Sequence, residues 1–192
     1  MHLGEAVIRP SRYNFNKFAM FAKWKDEESL DNFLQIPTYE NFSQNGWHVR
    51  LKLYRTWGGI KELKDSYIYK KNVSKNNRVV AVTLARLKIN QALRFIKWGK
   101  PVEQQVRDHK GKNLALAAMR PMHTLSTFSI WDDEDQMIGM VKGVKDNYDG
   151  NQHRNAMQER NRKSFHHEFM TMRFIPIKEM GSWNRRSKYI FS

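Results

Sequence analysis

The spacing of hydrophobic and polar positions in the second half of the chain alternates between that of strands and that of helices. Four apolar, β-branched or alternating runs predict strands: 79–87, 114–119, 125–131 and 168–175. Between them, apolar residues recur at helical spacing after Asn90, Asp132 and Gln152. The predicted order is β-α-β-β-α(α)-β, the pattern of the ferredoxin-like fold. We expect Pro101 to break or kink the first of these helices near Gly99.

A segment in the first half of the chain looks like a copy of one in the second half. In both 18–27 and 125–134, a strand-like run ends in a tryptophan, and an Asp-Glu pair then opens a helix. The first copy predicts strands at 6–8, 16–24 and 47–54, a helix at 26–34 and a loop-and-helix region at 37–42. Because no counterpart of 79–112 precedes Ala6, we expect the first repeat to lack its initial strand and helix.

These patterns predict an α+β protein in which tandem ferredoxin-like repeats form a dimeric-α+β-barrel-type fold. The predicted divisions are an incomplete first repeat at 1–60, a basic linker at 61–78, a complete second repeat at 79–183 and a basic tail at 184–192. The incomplete repeat would leave one sheet edge uncovered. Such an edge favours a homo-oligomer, or a lipid or protein partner.

Composition narrows the classes of site and partner. The chain has no cysteine, so disulfides, thiolate ligands and cysteine nucleophiles are excluded. No apolar run reaches the ~20 residues of a membrane span and no signal-peptide layout is present, so we expect a cytoplasmic protein. With 34 basic and 19 acidic residues the formal net charge is +15. This charge favours peripheral association with the anionic inner membrane.

Nucleic acid is the other polyanion that such a charge suits. Lysine and arginine alternate with aromatic residues around Trp47, Tyr54 and Trp57, as stacking platforms require. These aromatic residues also alternate with core positions, and a strand with one solvated face explains them more simply. We therefore do not favour nucleic-acid binding, and keep it as an alternative.

Several segments together resemble one known family. The second repeat contributes a strand ending in Phe-Ser-Ile-Trp131-Asp-Asp-Glu, a first helix with Ala92-Leu-Arg-Phe95, a helix with His153-Arg154, a closing Glu168-Phe-Met-Thr-Met-Arg-Phe strand and Gly181-Ser-Trp183. The first repeat contributes Phe21-Ala-Lys-Trp24 and Arg55-Thr-Trp57-Gly58. In this order, over roughly 6–183, the chain resembles the spheroidene monooxygenase (carotenoid ketolase) family. The resemblance implies a bacterial oxygenase that uses O2, haem and an electron donor to add oxo groups to a linear carotenoid.

The resemblance also suggests residues that would bind haem. With no cysteine, an axial ligand would be His, Met or Tyr, and His153 falls on the family's His-Arg position beside Arg154. The alternative is a helix-start histidine that hydrogen-bonds to the adjacent loop. His123 lies in a turn at the mouth of the possible pocket, and Arg120 could pair with a haem propionate or orient dioxygen. A turn shared by both copies explains Arg120 equally simply. We expect the adjacent His166 and His167 to form a solvated helix end, and we expect no metal site because adjacent side chains point in different directions.

Three aromatic residues are candidates to line a channel for an apolar substrate: Trp131, Phe128 and Trp24. Packing anchors at matched strand ends are the alternative for the two tryptophans. The first functional hypothesis is O2-dependent oxygenation of a carotenoid or similar apolar molecule, assisted by haem and an electron-donor protein. The alternatives are a non-catalytic α+β-barrel protein that binds a small apolar ligand or a partner, and a basic nucleic-acid-binding protein.

Overall fold

The computed structural model describes residues 1, 3, 9–64, 68–69, 77–120, 124–143 and 151–191. The predicted strand at 6–8 and the candidate residue His123 lie outside these ranges. The strands are β1 (His48–Gly59), β2 (Val79–Leu87), β3 (Lys112–Arg120), β4 (Thr124–Trp131) and β5 (His166–Met180). The helices are α1 (Glu27–Leu34), α2 (Pro37–Asn45), α3 (Ala92–Asp108), α4 (Glu134–Lys142) and α5 (Gln152–Arg162). Short 3-10 turns occur at Pro10–Arg12, Lys61–Leu63 and Ile89–Gln91.

The five strands form one antiparallel sheet in the order β1-β5-β2-β4-β3. Strands β2 to β5 have the order and directions of a ferredoxin-like unit, so the α+β prediction for the second repeat is confirmed. The first copy contributes β1, which pairs with β5 and extends the same sheet. The two copies therefore share a hydrogen-bonded ladder.

Pro101 was expected to break or kink the first long helix, and it does not break it. Helix α3 continues through Pro101 to Asp108. Proline removes one backbone donor, which in a regular helix would bond to the carbonyl of Lys97. Lys97 is exposed, so water can satisfy that carbonyl.

The predicted strand at 16–24 is also not formed. This segment has no regular structure, and Phe15, Phe18 and Met20 are 85%, 66% and 63% exposed. Apolar alternation produces a strand only where a neighbouring strand supplies hydrogen bonds for its backbone. In the second copy β2 and β3 flank the equivalent strand, β4, whereas no described strand flanks 16–24.

The Asp-Glu positions of the duplication do have the same local structure. Asp26 and Asp133 are the N-cap residues of α1 and α4, with φ of −152° and −157°. Each carboxylate accepts a hydrogen bond of 2.7 Å from the backbone N–H three residues later. The duplicated Asp-Glu is therefore a duplicated helix start, as its sequence predicts.

An ion pair between helix and strand also recurs in both copies. Arg50 on β1 pairs with Asp31 and Glu27 of α1, and Arg173 on β5 donates to Glu134 of α4 at 2.6 Å. In each copy an acidic side chain of the helix thus binds an arginine on the last strand of that copy. The two copies therefore share the start of the helix and also the ion pair that holds the helix against the sheet.

The sheet has apolar side chains on both faces. On the helix-covered face, Val79 and Trp131 pack with Met137 and Met140 of α4. The opposite face carries a larger cluster: Leu53, Ile60, Val80, Val82, Ile130, Met170, Met172, Phe174, Tyr189 and Ile190. Its last two members come from the end of the chain, where Tyr189 and Ile190 are 4% and 3% exposed. The predicted basic tail thus contains two core residues.

Candidate ligand-binding face

Half of the sheet face opposite the helices has incompletely covered apolar side chains. Leu84, Leu114, Leu116 and Phe128, from β2, β3 and β4, are each half-buried, and we call these four residues the open apolar face. The register places Phe128 directly between Val82 and Leu116, so these side chains share one face. Because contiguous exposed apolar surface is a mark of binding sites, this is the main candidate site.

Trp47 borders the open apolar face just before β1. Its ring meets Phe128 edge-on, with centroids 5.7 Å apart, and meets Tyr189 in the same way at 5.6 Å. Its indole N–H donates to Glu179 Oε1 at 2.8 Å. The polar end of the indole is therefore satisfied while its apolar body contacts both halves of this sheet face.

Glu179 holds the C-terminal segment over the other half of the face. Its carboxylate accepts hydrogen bonds from the backbone N–H groups of Tyr189 at 3.1 Å and Ile190 at 3.0 Å. Burial alone would raise the pKa of Glu179. The hydrogen bonds from Trp47 and from the backbone at Ile190, Tyr189 and Lys188 outweigh it, so the pKa lies below its usual value.

The three predicted substrate-lining residues lie apart. Phe128 belongs to the open apolar face, but Trp131 lies on the helix-covered face and is 1% exposed. The Trp131 N–H donates to Ser129 Oγ at 2.9 Å, and its ring meets His109 edge-on. Trp24 is half-buried and packs on Phe33 of α1, with centroids 4.7 Å apart. Both tryptophans have packing contacts of the kind expected for anchors.

His153 lies among the helices. Its backbone N–H donates to Gln105 Oε1 at 3.0 Å, and its imidazole hydrogen-bonds to the carbonyl of Val141 on α4. Burial lowers its pKa, so the ring is neutral at pH 7. The neighbouring Arg154 is exposed. The two residues are adjacent on α5 and are not brought together with the open apolar face by any described contact.

This arrangement does not fit a haem ligand. The hydrogen bond to Val141 leaves the second ring nitrogen of His153 available, but neither of the two cavities described below borders this residue. An axial histidine needs a free nitrogen directed into a slot for the macrocycle. We derive no chemistry through haem for this chain.

Arg120 and His166 occupy different surroundings. Arg120 is exposed at the end of β3, opposite Thr124. His166 was expected at a solvated helix end, but it starts β5 and is 7% exposed. Its ring lies against Phe95, Phe165 and Phe169, and neither nitrogen has a hydrogen-bond partner. Burial, with Arg160 and Lys88 nearby, lowers the pKa of His166 to about 4.

A polar cluster that sequence reasoning did not single out lies where α4 begins. Glu134 Oε1 accepts from Arg173 at 2.6 Å, receives the Tyr54 hydroxyl at 3.4 Å and lies 3.6 Å from Arg55. Burial, and then the Glu134 charge, raise the pKa of Tyr54. Trp57 is 44% exposed, with the Arg173 and Arg55 guanidiniums 4.6 and 5.7 Å from its ring. The sequence feature that could have indicated this cluster is the alternation of basic and aromatic residues on β1.

Two cavities border the sheet, and neither contains a residue of the open apolar face. One of about 450 Å³ lies beside the end of the chain, lined by Asn77, Arg78, Asp132, Ile175, Pro176, Ile190 and Phe191. One of about 580 Å³ lies between α1, α2 and the start of β1, and includes His48, Arg50 and Lys178. Among the described residues, the open apolar face is therefore an uncovered surface. No helix among the described residues is long and apolar enough to cross a membrane.

Comparisons with known proteins give structural likeness only. No protein-family model and no curated protein matches this chain. A proposed monooxygenase from Fusobacterium nucleatum is similar at 10% identity and a TM-score of 0.48, covering 83% of this chain and 69% of that one. A proposed antibiotic biosynthesis monooxygenase from Chloroflexus aurantiacus has 10% identity and a TM-score of 0.40, covering 55% and 98%. An anthrone oxidase-like protein has 12% identity and a TM-score of 0.39, covering 82% and 70%. At these levels we transfer no functional residue to this chain.

Proposed function

We propose that this protein binds a carotenoid-like or similar apolar molecule on the open apolar face, as a monooxygenase-like α+β protein. The observation that carries the proposal is the half-buried set Leu84, Leu114, Leu116 and Phe128. These side chains belong to three adjacent strands, so they form one continuous apolar surface. These four side chains carry no polar groups, which suits a hydrocarbon chain because it has no hydrogen bonds to satisfy.

The proposal includes a second copy of the chain. The described residues of one chain do not enclose the open apolar face, whereas small-molecule sites bury most of the ligand surface. A second copy that packs its own open apolar face towards the first would enclose the ligand between two sheets. The resemblance noted in the sequence implies a dimeric barrel of this kind, and supports this part of the proposal.

The reaction in the proposal is an O2-dependent oxygenation. One oxygen atom of O2 enters a C–H bond of the apolar molecule and the other leaves as water, with two electrons from an external donor protein and two protons from solvent. The chain would hold the substrate and exclude water from it. The alternative is a protein that binds the same molecule without transforming it.

Binding and turnover can be tested separately. The fluorescence of cis-parinaric acid, a conjugated polyene, should rise on binding, and light scattering should report a dimer. Incubation of a carotenoid with labelled dioxygen and a reductant should place label in the product. Binding without labelled product would support the non-catalytic alternative. Failure to bind the polyene would contradict the proposal.

One observation favours nucleic acid as a second candidate. Trp57 is 44% exposed and has a guanidinium near its ring from both Arg55 and Arg173. Exposed aromatic rings with adjacent cations bind single-stranded bases by stacking. A short single-stranded oligonucleotide should then bind the native protein and bind Trp57→Ala at least about tenfold more weakly. Equal binding by both would exclude this platform.

A further inference from the structure

The start of α3 exposes two large aliphatic side chains. Ile89, in the 3-10 turn before the helix, is 72% exposed, and Leu93, in its first turn, is 85% exposed. A spacing of four residues places both on the same side of the helix, and the exposed Lys97 follows one turn later. Packing within the chain does not explain two such side chains next to each other.

Two basic segments meet at this point. The N–H of Lys88 donates to the carbonyl of Phe165 at 2.9 Å, and Arg94 donates to the carbonyl of Lys163 at 3.0 Å. The stretches 86–100 and 160–167 therefore lie side by side. The first has five lysines and arginines, the second has three, and neither has an aspartate or glutamate. Positive charge is thus concentrated around the exposed aliphatic pair.

Part of this positive charge is not neutralised within the chain. The three arginines Arg86, Arg94 and Arg162 pair with carboxylates. Of the described carboxylates, none pairs with Lys88, Lys97, Lys100 or Lys163. These lysines are free to bind external anions, and they come from both basic segments.

We propose that Lys88, Ile89, Leu93, Lys97 and Lys163, which we call the basic α3 corner, dock the protein on an anionic lipid surface. The lysines would bind lipid headgroups while Ile89 and Leu93 enter the acyl boundary beneath them. Membrane-surface binding depends on this combination of buried apolar area and attraction to anionic lipid. Ile89 and Leu93 favour lipid over nucleic acid, because aliphatic side chains neither stack on bases nor bind phosphate.

The test is co-sedimentation with vesicles. The native protein should bind vesicles of phosphatidylcholine mixed with phosphatidylserine, and not vesicles of phosphatidylcholine alone. The double variant Ile89→Ser/Leu93→Ser should bind these mixed vesicles at least about tenfold more weakly, because two inserted side chains are lost. Both residues are exposed, so the variant should fold normally. The matched control is Phe18→Ser/Met20→Ser, which removes similarly exposed apolar side chains elsewhere and should change binding less than about twofold.

Charge gives a second arm to the test. Lys97→Gln/Lys163→Gln should weaken binding to the mixed vesicles and reduce its salt dependence, whereas Lys25→Gln/Lys178→Gln should not. Native-like binding by Ile89→Ser/Leu93→Ser would overturn the proposal, as would loss of binding only in the Phe18→Ser/Met20→Ser control. Binding to a single-stranded oligonucleotide but to neither kind of vesicle would also overturn it. The inference does not depend on what binds the open apolar face.

Discussion

The carboxylate of Glu179 accepts the indole N–H of Trp47 at 2.8 Å, and so joins the residue before β1 to the end of β5. The same carboxylate accepts two backbone N–H groups from Tyr189 and Ile190. One acidic side chain therefore connects an edge of the sheet to the C-terminal segment. Through this connection, the C-terminal segment covers one half of the apolar sheet face, and the other half is the open apolar face.

Replacing Glu179 by glutamine should loosen the C-terminal segment. The amide would present an NH2 group to N–H donors, so at least one hydrogen bond to the carboxylate is lost. We expect Glu179→Gln to lower the free energy of unfolding by about 1–3 kcal/mol in urea titrations. Glu28→Gln, an exposed acid on α1, should change it by less than about 0.5 kcal/mol.

The Glu179 effect should also depend on pH. Its folded-state pKa is lowered, so its contribution is present above the unfolded pKa and is lost as pH falls through the folded pKa. The stability difference between the native protein and Glu179→Gln should therefore shrink in acid, below the usual pKa of glutamate. An unchanged difference across this range would contradict the assigned role of the charge.

Protonation of His166 should weaken the fold in mild acid. The unfolded chain takes up a proton near the ordinary pKa of about 6.5, whereas the folded protein takes it up near 4. Between these values only the unfolded state is protonated, so stability falls as pH falls. His166→Phe, which suits the surrounding aromatic rings, should remove this pH-dependent loss, which reaches about 3 kcal/mol near pH 4. Unfolding titrations at several pH values measure it, with the exposed His167→Phe as the control.

Trp131 and Trp57 should lose different amounts of stability on truncation. Trp131 is 1% exposed beneath α4, so Trp131→Ala should cost about 3–5 kcal/mol in the free energy of unfolding. Trp57 is 44% exposed, so Trp57→Ala should cost less than about 1.5 kcal/mol. Thermal or urea unfolding of both variants compares them directly. A larger loss for Trp57→Ala would show that the packing is assigned to the wrong residue.

Haem should not bind through His153. The Val141 carbonyl occupies only one ring nitrogen, but neither of the two described cavities borders His153, so neither offers a slot for the macrocycle beside the other nitrogen. We expect titration with haem to give the same absorption spectrum for the native protein and for His153→Ala. A Soret band that is present in the native protein and absent in the variant would contradict this account and restore His153 as the ligand.

Sequence patterns predicted correctly those structural elements that depend only on residues close together in the sequence. Asp133 begins α4, as the Asp-Glu pattern predicted, because a carboxylate N-cap depends on only a few neighbouring residues. Gly143, in the left-handed conformation at φ of 70°, ends the helix in an equally local way. Features that depend on distant partners were not predicted. The segment at 16–24 has strand-like alternation but no flanking strand among the described residues.

The candidate site shows the same division between local and distant features. Phe128 and Trp131 were grouped as lining residues, although three positions along a strand place them on opposite faces. The position of Glu179 near two residues at the end of the chain depends on the folded-back C-terminal segment. No local pattern around Glu179 signals that contact.

The central claim is that an apolar molecule binds on the open apolar face, and two positions on β3 test it most directly. Leu116 belongs to this face, whereas Met119 is 46% exposed on the opposite side of the same strand. We predict that Leu116→Ser weakens cis-parinaric acid binding at least about fivefold, while Met119→Ser leaves it within about twofold. Thermal unfolding would verify that both variants are folded. Equal binding by the two variants, or selective loss in Met119→Ser, would contradict the account.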